Sequence, residues 1–168
     1  MTRSIRTLSL TLLIVTLAAT VAVAQTGAQK AFAALKSMPG SWEGKSDDGR
    51  PLQVTFKVVS GGSAVMSEIM GQGPEDMVSM FNLDGPDKLL FTHYCSAGNQ
   101  PRMLASVSPD GKIITFDFLD ATNLRAKEDG HMQRMVLTLI DENHHTEDWT
   151  FIDHGKEMRR LFDLRRKS

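Results

Sequence analysis

The spacing of hydrophobic positions changes once along the chain. Phe32, Leu35 and Met38 recur every three residues in Ala-rich sequence, which predicts a short amphipathic helix near residues 27–37. Pro39-Gly40 ends that pattern. Beyond it, apolar and polar residues alternate with a period of two, and nine turn signals rich in Gly, Pro, Asn and Asp separate ten segments of strand length. The chain is therefore predicted to be all-β with one N-terminal helix.

The connections between the ten segments are nearly all as short as hairpin turns, so consecutive strands are expected to pair antiparallel. Such a meander leaves two exposed edges unless its first and last strands meet, and closure into a barrel removes both. A two-sheet sandwich is the alternative, but it usually needs longer crossing connections. We predict one up-and-down barrel domain over residues 25–168, with the helix plugging or flanking one end. A cavity is expected inside, because a barrel of this size has more interior than its own side chains easily fill.

The first 24 residues have the pattern of a secretory signal peptide. Arg3 and Arg6 precede an apolar stretch over residues 8–21, and Ala22-Val23-Ala24 supplies the small residues of a cleavage site. The stretch is too short for a stable membrane anchor. We therefore predict cleavage after Ala24 and export to the periplasm or the medium.

Composition narrows the class of partner. Removal of residues 1–24 takes away two of the 19 basic side chains and none of the 20 acidic ones, which leaves a net charge of −3. No basic surface is expected, so nucleic acid is an improbable partner. The single cysteine, Cys95, excludes an internal disulfide, and it lies far from the cleavage site, which excludes a lipid anchor of the bacterial type.

A short motif opens the first predicted strand. Gly40-Ser41-Trp42-Glu43-Gly44 directly follows the helix and resembles the G-x-W signature of lipocalin-like calycin barrels. The resemblance implies that Trp42 packs across the closed end of the barrel, covered by an arginine of the last strand, for which Arg159 and Arg160 are available. The mature chain is also similar to exported bacterial proteins of the DUF1579 type, in the segments THYCSAGNQPRM, FDFLDATN and HMQRM. That family has no settled activity, so the likeness implies a calycin-like fold and no function.

The residues from His93 to Met103 carry an unusual density of hydrogen-bonding chemistry for one tight turn. Such groups are costly to bury without hydrogen-bond partners, so we expect them to bond to one another or to a polar ligand. Two-residue periodicity places Phe91, His93 and Cys95 on one strand face and Tyr94 on the other. The predicted ligand-binding residues are His93, Tyr94, Asn99, Gln100, Arg102, Met103, Phe116, Phe118 and His131.

These residues predict a binding protein for a small, largely apolar or amphipathic molecule with one polar or anionic end. Phenylalanines and methionines would form an apolar wall, and Arg102 or Arg134 could meet an anionic head group. The segment 120–130, the longest connection, would suit a flap over the mouth.

Other functions are less well supported by the residues. His93 and Cys95 could clip a metal with His131, but the paired spacings of a zinc site are missing, and His144-His145 is expected to face solvent beside a turn. Neither G-x-S-x-G nor H-E-x-x-H is present, so we predict no catalytic residue, metal or cofactor, although an enzyme using residues 93–103 stays open. Similar barrels of the nitrobindin type handle haem or nitric oxide through a histidine late in the barrel, but here the late His154 falls in a turn. A filled barrel with a purely structural role is the remaining alternative.

Overall fold

The computed structural model describes residues 24–71, 76–126 and 128–167. Residues 1–23, nearly all of the predicted signal peptide, lie outside this part. In the described part, one helix precedes ten strands, and a 3₁₀ turn over Ser60–Gly62 joins the second strand to the third. The elements are α1 (Gly27–Lys36), β1 (Gly40–Ser46), β2 (Pro51–Val59), β3 (Ala64–Met70), β4 (Met77–Asp84), β5 (Lys88–Tyr94), β6 (Gln100–Val107), β7 (Ile113–Thr122), β8 (His131–Asp141), β9 (His144–Asp153) and β10 (Lys156–Arg166).

The strands form one closed antiparallel barrel in sequence order. Each pairs with its neighbours along the chain, and β1 also pairs with β10, with Trp42 opposite Arg166. The predicted ten-strand up-and-down barrel is therefore confirmed, and the sandwich alternative is wrong. Closure leaves no free edge, because every strand has two partners.

Helix α1 has the predicted position and covers one end of the barrel. Thr26 and Gln29 form a reciprocal capping box at its N-terminus. Its buried face, Ala28, Ala31, Phe32 and Leu35, packs toward β4, β5 and β6. Within the described residues, no helix is long and apolar enough to cross a membrane. We call the end covered by α1 the closed end, and the opposite one, with the β1–β2, β3–β4, β5–β6, β7–β8 and β9–β10 connections, the open end.

Trp42 plugs the closed end, as the G-x-W resemblance implies. Its side chain is buried, and the indole Nε1–H donates to the Met38 carbonyl at 2.9 Å. The covering arginine is Arg166, whose guanidinium carbon lies 4.2 Å from the indole ring centre. The expectation of Arg159 or Arg160 is wrong, because Arg166 is the β10 residue directly paired with Trp42.

The start of β1 depends on close backbone approach. A Cβ atom on Gly44 would lie 1.8 Å from the Asp163 carbonyl oxygen of β10, so only glycine lets the two strands lie this close. Gly40, the first residue of the motif, has a φ of +121°, a conformation that side chains rarely adopt. The barrel therefore closes through two glycines of the G-x-W region.

Phenylalanines fill the middle of the barrel. The rings of Phe81, Phe91 and Phe116 lie 4.8 to 5.5 Å apart between centres, and all three are buried. Aromatic pairs at these separations add to the stability gained by burying their surface. The interior is therefore solid at mid-height, and the expected cavity is limited to one end.

Candidate functional site

A cavity of about 400 Å³ occupies the open end of the barrel. Its lining side chains come from the β1–β2 turn and from strands on opposite sides of the barrel. Its lining residues are Arg50, Ile69, Met77, Cys95, Ser96, Ala97, Met132, Trp149, Phe151, Met158, Arg160 and Phe162. A concave, mostly apolar space with a few polar groups is the usual form of a small-molecule site. We call it the open-end cavity.

Three aromatic rings and three methionines form most of the wall. Trp149, Phe151 and Phe162 come from adjacent strands β9 and β10, whereas the thioethers come from Met77, Met132 and Met158 on three different strands. Methionine side chains are flexible and polarisable, so this wall can adjust to ligands of different outline. Methionines are expected from the sequence in an apolar wall, and these three line the cavity.

The rim of the open-end cavity is charged. Arg160 lies on the inner face of β10 opposite Trp149, and its nitrogens approach Asp47 at 3.9 Å and Asp48 at 3.5 Å. Arg50 makes a closer ion pair with Asp48 at 2.9 Å, and hydrogen bonds from Arg50 and then Ser46 hold the pKa of Asp48 well below its usual range. Arg160 is thus the more loosely paired guanidinium, with donors left for another acceptor.

Two polar residues lie beneath the open-end cavity. Ser79 of β4 and His93 of β5 are paired in register and buried, with 2.9 Å between Ser79 Oγ and His93 Nδ1. Burial lowers the pKa of His93 to about 4, so its ring is neutral near pH 7. The ring of His93 lies 4.9 Å from that of Trp149, which lines the cavity. We call Ser79 and His93 the floor pair.

A buried carboxylate holds Trp149 in place. Glu147 accepts a hydrogen bond from Trp149 Nε1 at 3.0 Å, and its other oxygen lies 3.3 Å from His145 Nε2. His145 is fully buried against Trp42, so the expectation that the His144-His145 pair faces solvent is wrong for this residue. The alternation of β9 turns His145, Glu147 and Trp149 inward together, whereas His144 contacts exposed Asp163.

The structure separates the predicted ligand-binding residues. His93 lies inside, but Tyr94 is 49% exposed on the outer wall, and Arg102 forms a bidentate pair with Asp120 there. Leu119 of β7 is an extra residue opposite the step from Arg102 to Met103, and this bulge places Asp120 outside, although strict alternation would put it on the same face as Phe118. The expected convergence of Tyr94 and Arg102 on the cavity therefore does not hold. Arg134 pairs outside as well, with Asp117.

The amides of the predicted site bind neighbouring chain segments. Asn99 Nδ2 donates to the Gly130 carbonyl at 2.7 Å, and Gln100 Oε1 accepts from Thr122 at 2.6 Å. They thus tie the β5–β6 turn to the β7–β8 connection. That connection begins after Thr122, because Asp120, the start of the predicted flap, belongs to β7.

The remaining predicted residues pack elsewhere. His131 Nδ1 lies 2.8 Å from the Asp129 carbonyl oxygen, and its ring is tilted against that of Phe118, with 4.5 Å between ring centres. Met103 and Phe116 lie in the filled middle of the barrel. In the part of the chain that the structure describes, no three His, Cys, Asp or Glu side chains form a metal-binding group. His154 lies in the β9–β10 turn, where it contacts Asp153.

Comparison with known proteins supports the fold and gives no evidence on function. No protein-family model and no curated protein matches the sequence. Among solved structures, Rv2717c from M. tuberculosis superposes with a TM-score of 0.58 at 15% identity, over 82% of this chain and 98% of that one. A redesigned β-barrel aligns with a TM-score of 0.41 at 14% identity, over 80% and 96% of the two chains. The class is thus a ten-strand closed barrel with a structural neighbour in Rv2717c, and the DUF1579 likeness stays a prediction.

Proposed function

We propose that this protein binds a small, largely apolar molecule with an anionic or polar end in the open-end cavity. The observation that supports the proposal is the contrast within this one space of about 400 Å³. Its wall is aromatic and thioether, while a guanidinium stands at its rim. Apolar burial would supply most of the binding free energy, and the rim would orient the molecule.

Arg160 is the group best placed to meet the polar end. Its contacts to Asp47 and Asp48 are long, so an incoming carboxylate can take up its donors. Arg102, favoured by the sequence, already gives two donors to Asp120 on the outer wall. The ligand would therefore lie with its tail toward Trp149 and its head toward Arg160 and solvent.

The place of action is proposed from the N-terminal sequence. Cleavage after Ala24 would leave α1 and the whole barrel intact, since Gly27 is the first helical residue. The proposal is therefore an exported binding protein. N-terminal sequencing of protein recovered from the periplasm or medium tests it, and an intact Met1 would contradict it.

Decanoate and decanol test the binding site, because they share a tail and differ in charge at the head. Binding is followed by the emission of Trp149 and by protection of Cys95 from alkylation, since both side chains line the cavity. We expect saturable binding of both, with decanoate favoured. Arg160→Gln should weaken the binding of decanoate by about fivefold, a modest effect for a charged contact at a hydrated rim. The affinity for decanol should stay nearly unchanged.

Arg159→Gln is the matched control. Arg159 is the neighbouring residue, but it points outward and pairs with Asp148. Its loss should leave both affinities unchanged. Absence of saturable binding, or binding that leaves Cys95 and Trp149 unaffected, would contradict the proposed site. Equal losses in both variants would contradict the role of Arg160.

A further inference from the structure

The floor pair forms a polar layer between the open-end cavity and the filled middle of the barrel. On β4 the inward residues run from Met77 through Ser79 to Phe81, and β5 continues the same layers. Met77 lines the cavity, whereas Phe81 belongs to the aromatic core. Two apolar residues could pack equally well at this depth, so packing alone does not explain a polar pair here.

One atom of this layer has no partner. Within the described residues, Ser79 Oγ bonds only to His93 Nδ1. The arrangement that leaves the fewest groups unpaired has the hydroxyl donating to Nδ1 and the ring hydrogen on Nε2. Nε2 is buried and has no hydrogen-bond partner. Buried donors are nearly always paired in native proteins, so this one calls for an acceptor.

Among the residues that the structure describes, no acceptor bonds to His93 Nε2. Its ring packs against Phe91 and Trp149, and the carboxylate of Glu147 is already engaged by Trp149 and His145. Burial keeps the imidazole neutral near pH 7, so Nε2–H is an uncharged donor. Such a donor suits a neutral acceptor better than an anion, whose burial at this depth would be costly.

We propose that His93 Nε2 donates a hydrogen bond to the inner end of the bound molecule, which therefore carries a neutral acceptor such as a ketone, ester or ether oxygen. This inference rests on the proposed function and adds the chemical class of the ligand's buried end. Cys95, two residues along β5, lines the cavity, whereas His93 lies beneath the lining residues. The acceptor must therefore pass below the lining side chains by about 7 Å, the length of two strand residues. The flexible Met77 side chain borders that path.

Two naphthalenes of nearly equal shape test the inference. β-Acetylnaphthalene carries a carbonyl acceptor, and β-ethylnaphthalene lacks it. We expect the wild-type protein to favour the ketone over the hydrocarbon by about two- to tenfold beyond their difference in water-to-octanol transfer, the range for one net hydrogen bond. In the His93→Phe variant this preference should vanish, and His93→Gln, which keeps a donor, should restore part of it.

Thr92→Val is the control, since Thr92 is the outward neighbour on the same strand and should leave the preference intact. Infrared spectroscopy of ketone labelled with ¹³C at the carbonyl gives a second measurement in wild-type protein. A hydrogen bond lowers the carbonyl frequency below its value in an alkane, and His93→Phe should reverse that shift.

Each failure has a distinct meaning. If both naphthalenes bind with no preference, or the bound carbonyl absorbs as in an alkane, a water or nothing occupies Nε2 and the inference is overturned while the proposed function stands. A preference that persists in a folded His93→Phe variant also overturns it. If neither compound binds saturably, both proposals are overturned. Should His93→Phe fail to fold, the wild-type frequency and the His93→Gln preference decide.

Discussion

The two ends of the barrel differ in how firmly their arginines are held. At the closed end Trp42 donates to the Met38 carbonyl, and Arg166 covers the indole while donating to the Pro39 carbonyl at 2.7 Å. At the open end Arg160 makes only long contacts, and His93 Nε2 makes none. A buried nitrogen without a partner, His145 Nδ1, also lies beside Trp42 at the closed end. The ends therefore differ in their arginines: Arg166 is engaged, whereas Arg160 has donors left for a ligand.

This difference indicates that the closed end stabilises the fold and the open end serves binding. Helix α1, the G-x-W motif and the aromatic middle bury most of the large side chains. The open end instead carries compliant methionines and an accessible rim. Substitutions at the closed end should therefore reduce the free energy of unfolding, whereas those at the open end should alter binding. The predictions below test that separation.

The largest expected effect is that of Trp42→Ala. Removing a fully packed indole should lower the free energy of unfolding by about 3–5 kcal/mol. Urea unfolding followed by the emission of Trp149, the one other tryptophan, measures the loss directly. A change in melting temperature of no more than about 2 °C would contradict the plug, because a loss of this size should shift the transition by several times that amount.

His93 should make stability depend on pH. The unfolded chain protonates this residue near its ordinary pKa of 6.5, but the folded protein does so only near 4, so the unfolded state binds more protons between these values. The free energy of unfolding should thus fall by about 3 kcal/mol as the pH drops from 6.5 to 4. His93→Phe should remove this component.

The measurement is a pair of urea titrations across that pH range, one for each protein. Other acidic groups titrate in both proteins, so the difference between the curves isolates His93. Parallel curves would show that the imidazole is not buried as a neutral group.

Arg166 offers a matched comparison with its neighbour in β10. Arg166→Ala removes the contact with the Trp42 ring and the hydrogen bond to Pro39, which together should cost about 1–2 kcal/mol. Arg165→Ala, at an exposed position, should change stability by no more than about 0.5 kcal/mol. Equal losses by chemical denaturation would mean that net charge, and not the cover over Trp42, is responsible.

The fold could be predicted because its signals are local. Turn residues at regular intervals and a period of two define the strands, and short connections leave few topologies. Pro39-Gly40 marks the end of α1 within a few residues, since neither residue favours a helix interior. The covering arginine was assigned wrongly because register across β1 and β10 depends on closure of the barrel, which no local pattern reports.

The site could be predicted only in part. The shared face of Phe91, His93 and Cys95 could be predicted, because alternation along a single strand decides it. The outward position of Asp120 could not, because a bulge in β7 interrupts the alternation, and the burial of His145 was missed because polar residues beside a turn usually face solvent. Arg160 and Met158 were not assigned to the site, because their role depends on which face of β10 points inward, and that strand carries polar residues on both faces. Long-range register, absent from the local sequence, decides all of these cases.

A small change in stability is expected at the rim of the open-end cavity, at Met158. Met158 and Leu161 are nearly equally exposed, 44% and 42%, on the same strand, but only Met158 lines the open-end cavity. Truncation of either to alanine should lower the free energy of unfolding by no more than about 1 kcal/mol, since little buried surface is lost. Met158→Ala should nevertheless weaken decanol binding about two- to fourfold through the loss of apolar contact, and Leu161→Ala should not. Fluorescence titration of the two variants side by side separates the effects. If neither substitution weakens decanol binding, the decanol tail lies outside the space that Met158 borders. If both weaken it equally, decanol binds along the outer wall, and the distinction between the two ends of the barrel has no bearing on function.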